Sequence, residues 1–250
     1  MNWADIRLFA QLCEQLGVQP PAAITRGIEL YDDADALRAK PPVQLLSLDR
    51  DQLHARIVDL SIRAHDRNGL SSYEGMLPGI RAVHDDLASE VRAEAIPELD
   101  RVVTDLQPDF DRLSRPLVIA AQEYGFTSAT TSDDVIERAD ENASTAWRDA
   151  RKAWEAIKTI VTLRIRISTL FDLSPTRHEA HSALSTQILA TDQWNHSISF
   201  AAGNNWSMGA GFLIQGSTFA HIDWLALAAG GLRLNTPTEV RAKLDNHTGR

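Results

Sequence analysis

The sequence predicts a mainly α protein: a helical bundle followed by a Gly- and aromatic-rich C-terminal segment that can hold a short β-hairpin. Apolar residues recur at spacings of three and four through most of the first 173 positions, the period of a helix with one buried face. Helix starts and stops fall where those stripes begin and end. Apolar residues make up 44% of the 250 and charged residues 24%, ordinary globular usage, so the stripes can close on a packed core.

Ile6, Phe9, Leu12, Cys13 and Leu16 share one face of a first helix, and Gly17 stops it. Pro20-Pro21 suits a second start, because proline lacks only an amide that the first turn leaves unbonded anyway. Ile24, Ile28, Tyr31 and Leu37 continue that helix until Pro41-Pro42. A third helix takes Asp49 as its N-cap, turns Leu53, Ile57, Leu60 and Ala64 inward, and ends at Asn68-Gly69. Residues 71–79 read as turns.

Ile80, Val83, Leu87, Val91 and Ile96 then form an amphipathic helix. Pro97 interrupts it and Leu99, Val102, Val103 and Leu106 resume it, so a kinked helix and two helices both fit. Pro108 predicts a further break, after which Phe110, Leu113, Leu117 and Tyr124 make another helix closed by Gly125. Residues 126–130 read as a loop, and Thr131 with Asp134 has the spacing of a capping pair.

The longest periodic stretch runs from about residue 141 to 173. Trp147, Ala150, Trp154, Ile157, Val161 and Ile165 make one stripe; Leu163, Ile167 and Leu170 add a second. Two apolar faces imply neighbours on two sides. Composition changes after Pro175, since from 181 to 231 the only formally charged residues are Asp192 and Asp223. We therefore divide the chain into an acidic helical part, 1–174, and a weakly charged part, 175–250. Within the latter, residues 197–201 and 211–214 could pair as a hairpin about Gly203-Asn204-Asn205. Thr236-Pro237-Thr238-Glu239 has capping-box spacing and opens a last short helix through Leu244.

Several function classes recede on composition. With 34 acidic against 25 basic residues, the net charge of −9 repels phosphate backbones, so nucleic acid is not the expected partner. No run of about 18 uncharged apolar residues could span a bilayer, and Met1-Asn2-Trp3-Ala4-Asp5 lacks the basic start of a signal peptide. A single cysteine, Cys13, allows no intrachain disulfide and reads as a small buried hydrophobe. The expected location is the cytoplasm, and the four glycosylation sequons, such as Asn142-Ala143-Ser144, carry no weight there.

No catalytic pattern is complete. His178-Glu179-Ala180-His181 places its imidazoles three apart where the zincin helix needs four, and no third ligand is identifiable. His65-Asp66 and His84-Asp85-Asp86 could act as general bases paired with carboxylates, but the charges around them predict solvated helix faces. Asn205-Trp206-Ser207-Met208-Gly209 lacks the first glycine of a nucleophile elbow, and Ile214 stands where a dinucleotide loop needs its third glycine. Asp32-Asp33-Ala34-Asp35 lacks the calcium loop's glycine and terminal glutamate. We expect no enzyme activity, no metal and no cofactor.

Aromatic surface is concentrated instead. Trp194, Phe200, Trp206, Phe212, Phe219 and Trp224 lie in the charge-poor segment, and aromatic enrichment with charge depletion is the composition of an interface centre. With Trp147 and Trp154 of the two-faced helix they are the candidate interface residues; burial in the chain's own core is the competing expectation.

The run Pro21-Ala22-Ala23-Ile24-Thr25-Arg26-Gly27-Ile28-Glu29-Leu30, the stretch Leu106-Gln107-Pro108-Asp109-Phe110-Asp111, and Thr131-Ser132-Asp133-Asp134-Val135-Ile136 followed by Trp147-Arg148 resemble small helical proteins encoded in head-assembly modules of actinobacterial phages and prophages. The likeness covers roughly the first 170 residues in arrangement. It implies a non-enzymatic structural or assembly role, as scaffold, capsid-associated protein or connector. The expected partner is then a capsid protein or a sister subunit in a homo-oligomer, in the host-cell cytoplasm or the virion. Two alternatives stand beside it: a metal-dependent hydrolase using His178 and His181, and a host-directed regulator that binds another protein through the same aromatic residues.

Overall fold

The computed structural model describes residues 2–36, 49–52, 54–55, 78–171, 173 and 224–248. Most of them are helical, and no strand occurs among them, as the periodicity predicts. The hairpin expected within 197–214, the two-histidine motif at 178–181, His65-Asp66, and the Ser207 and Gly209 patterns lie outside the described residues. So do Trp194, Phe200, Trp206, Phe212 and Phe219. The chain forms two compact units, one of residues 1–10 and 21–97, the other of 11–20 and 98–250. The compositional border near 174 also falls outside the described residues.

Helix α1, Trp3–Gln15, starts where the Asn2 side chain accepts the Ala4 amide at 3.0 Å. It stops as expected at Gly17, whose φ of +69° suits a residue without a Cβ. There the Val18 amide donates to the Cys13 carbonyl and the Gly17 amide to that of Glu14, each at 3.0 Å, the paired closure of a Schellman end.

In the first unit, α2, Ala22–Ala36, packs on α3, Pro78–Ala95. Gly27 is what lets them approach, since a Cβ there would lie 2.3 Å from Val91 Cγ2. Trp3 stands against Tyr31 at 4.6 Å between ring centroids and donates from its indole to the His84 carbonyl at 3.3 Å. Asp49 and Gln52 exchange side-chain-to-amide bonds at 2.8 and 3.1 Å, so the expected N-cap forms, and residues 50–52 and 54–55 are helical. The acidic run at 32–35 ends α2 rather than forming a turn, with Asp32 paired to Arg7.

Helix α3 corrects the expected phase. His84 does not lie on a solvated face: it is 4% exposed and its ring stacks on Tyr31 at 4.0 Å. Val83, assigned inward, is 52% exposed. The buried stripe is His84, Ala88, Val91 and Ala95, in steps of four, three and four, which the small alanines obscure in a hydropathy pattern. The helix also begins at Pro78, two residues earlier than predicted, with proline in the first turn.

A 3-10 turn, Ile96–Glu98, carries Pro97. Beyond it the second unit corrects the break expected at Pro108: α4 runs unbroken over Leu99–Gln122 with Pro108 and Pro116 inside it. Pro108 is exposed, so the carbonyl it leaves unbonded faces water, while Leu106, Phe110 and Leu117 are buried on the opposite face. A proline inside a helix costs about 3 kcal/mol, whereas burying each such side chain gains roughly 1.5–3 kcal/mol, so continuity wins. Gly125, at φ +64°, follows the helix, and the Phe126 amide reaches back to the Ala120 carbonyl at 3.0 Å.

Thr131 and Asp134 cap α5, Ser132–Glu137, reciprocally, as predicted. Helix α6, Glu141–Leu170, starts at Asp140, which accepts the Asn142 amide at 2.8 Å, and stops three residues short of the predicted 173. It packs along α4 and carries α5; α7, Trp224–Ala229, lies on α4, and α8, Pro237–Thr248, touches α4. Ala150, Ile157, Val161, Leu163 and Ile167 are buried, so both stripes of α6 are used.

Candidate functional site

Helices α4, α6 and α7 leave a cleft of about 530 Å³ between them. Leu117 of α4, Ser128 of the loop before α5, and Trp224 and Leu225 of α7 line it. From α6 come Trp147, Ala150, Arg151, Lys152, Trp154 and Glu155. Residues 147, 151, 154 and 155 stand four, three and one apart, so one helix face delivers all four side chains. Trp154 and Trp224 meet at 4.7 Å between centroids, tilted by 35°. Trp147 is held edge-on to Phe126 at 5.2 Å. Its indole nitrogen is buried and meets no acceptor among the described residues.

Charge is unevenly satisfied around this aromatic wall. Glu155 pairs with Lys158 at 2.7 Å, and that ammonium sits 5.7 Å from the Trp154 ring centroid. Lys152 reaches Asp149 at 3.4 Å. Arg151 is exposed and has no partner among the described residues, so the cleft presents one uncommitted cation beside three indoles. A guanidinium of this kind gains from an incoming carboxylate that it can grip with two parallel bonds.

The structure thus brings together Trp147, Trp154 and Trp224 out of the eight predicted interface residues. Trp147 and Trp154 are half-buried, whereas Trp224 is 7% exposed and belongs as much to the core as to the cleft. Sequence reasoning overlooked Arg151, although its position four after Trp147 and three before Trp154 already placed it on their face.

A second polar centre is structural. Arg164 is buried and bonds the Asn235 carbonyl through Nε and Ser168 Oγ through Nη1, both at 2.8 Å. Burial pulls its pKa down to about 10, while Asp100 and Glu239 act in the opposite direction. With Gln107 Nε2 on the Leu234 carbonyl at 2.9 Å, it satisfies the backbone leading into α8. Thr236 and Glu239 complete the predicted capping box at 3.2 and 2.8 Å.

Among the described residues no three His, Cys, Asp or Glu side chains gather where they could hold a metal ion. No helix among them is long and apolar enough to cross a membrane. No protein-family profile, curated protein or solved structure matches this chain.

Proposed function

We propose that the chain is a non-enzymatic assembly protein that acts through protein–protein contacts, with the cleft between α4, α6 and α7 as its docking surface. One observation carries this reading: two half-exposed tryptophans and a third, buried one line the same cleft as an arginine with no partner among the described residues. Tryptophan and arginine in a partly desolvated pocket are the residues that dominate binding energy in protein interfaces. A capsid or connector role is what the resemblance to phage head-module proteins implies. On this reading the protein works in the host-cell cytoplasm, with the virion as a second location.

The test uses the products of the neighbouring genes, co-purified and then titrated calorimetrically against the full chain. Trp154→Ala and Arg151→Ala, each checked for unchanged helicity and melting temperature, should weaken binding at least tenfold, about 1.4 kcal/mol. A monodisperse monomer with no affinity for any of those products would overturn the reading.

A further inference from the structure

The occupant of the cleft can be sought on the chain itself. Ile136, on α5, is 69% exposed, the most exposed large apolar side chain among the described residues. Asp133 and Glu137 flank it, both exposed and neither paired among the described residues. An isoleucine between two uncommitted carboxylates is the chemical complement of an indole-walled cleft with an uncommitted guanidinium.

Charge supports the match on a larger scale. Helix α6 carries six basic and three acidic side chains, a net +3, on a chain of net −9; the remainder therefore carries −12. A basic helix on an acidic protein attracts another acidic copy in one orientation and repels it in most others. Knob and cleft are also neighbours: Arg138, just after α5, bonds the Tyr124 carbonyl at 2.7 Å and lies 4.9 Å over the Phe126 ring, which contacts Trp147 edge-on. A two-fold axis passing between them engages both contacts at once, each copy supplying one knob and one cleft.

We propose that the cleft is filled by a second copy of this chain, with Ile136 of each copy seated against Trp147 and Trp154 of the other and Asp133 and Glu137 beside Arg151 and Lys152. This rests on the cleft being a protein-docking surface. Two small contacts give a reversible dimer with a dissociation constant on the order of 1–100 μM.

Sedimentation of the full chain across that range should show a concentration-dependent dimer, and Ile136→Ser should weaken it at least tenfold without changing helicity. The decisive arm is complementation. A chain carrying Asp133→Arg and Glu137→Arg, and one carrying Arg151→Glu and Lys152→Glu, should each be monomeric alone and form a heterodimer when mixed in equal amounts. A wild-type monomer throughout, an Ile136→Ser chain that dimerises like wild type, or mixed variants that stay apart would each overturn the proposal. A wild-type monomer that still binds a neighbouring gene product through Trp154 would overturn self-association and leave the docking reading standing; one that binds none would overturn both.

Discussion

Gly27 sets the distance between α2 and α3, and its contribution is measurable because two opposing effects meet there. Alanine in a helix is intrinsically better than glycine by about 1 kcal/mol. Its Cβ, however, would lie 2.3 Å from Val91 Cγ2, and a β-branched side chain in a helix has little rotamer freedom to retreat. The clash outweighs the propensity, so Gly27→Ala should destabilise the chain by about 1–3 kcal/mol, within the range of core overpacking. In Gly27→Ala/Val91→Ala the clash is gone and alanine's propensity returns, so the double variant should be more stable than the two single losses added together. Denaturant melts of the four chains measure this, and strict additivity would show that the helices do not touch there. Nothing in the sequence marks Gly27, because a missing side chain leaves no trace in an apolar stripe. Cys13 was legible, being in phase with Ile6 and Phe9, and it is fully buried. Burial pushes its thiol up to about 12 from the usual 9.0, partly opposed by Arg101 and reinforced by Glu14. A folded-state value above the unfolded one makes a contribution that is whole below pH 9 and declines as pH rises towards 12, by at most about 1.4 kcal/mol per unit. The stability of wild type relative to Cys13→Ala should therefore fall between pH 9 and 12, and a difference independent of pH would contradict the burial.

Helix identity was legible wherever caps and stripes agreed. The Thr131–Asp134 and Thr236–Glu239 boxes need residues only three apart, so local chemistry fixes them whatever packs nearby. Pro108 failed as a stop because a local rule met a long-range gain, the burial of Leu106, Phe110 and Leu117 in the second unit. What positions α8 could not be read at all, since Arg164 and Asn235 are 71 residues apart. Their bond supports a definite expectation. Arg164→Ala removes the donors to Asn235 and Ser168 and leaves a hole in the core, which should cost about 3 kcal/mol. Arg164→Met keeps most of the volume and loses only the bonds, so it should cost less yet still speed amide hydrogen exchange across 237–248. Unchanged exchange in the Met variant would show that the arginine fills space and does not hold α8.

For the whole molecule, the question is whether net repulsion or local ion pairing governs stability. Apart from Arg7–Asp32 and Arg233–Glu239, the ion pairs among the described residues span only three or four positions along the chain, within one helix or, for Arg101–Glu98, across its N-cap, with both partners substantially exposed. Such pairs contribute about 0.3–0.5 kcal/mol each at most, and salt screens them. Against them stands a net charge of −9, whose self-repulsion salt also screens. Because one charge of each pair merely cancels its neighbour while the unbalanced carboxylates act over the whole surface, repulsion should dominate at low ionic strength. Raising salt from about 10 mM to about 500 mM shortens the screening length from about 30 Å to about 4 Å. The melting temperature of the monomer, followed in the Ile136→Ser chain to exclude association, should therefore rise with salt. The proposed dimer joins opposite charges across an interface, so its dissociation constant should rise over the same interval. Calorimetry and sedimentation on the same samples separate the two effects; a melting temperature that falls with added salt would show that the ion pairs outweigh the net charge.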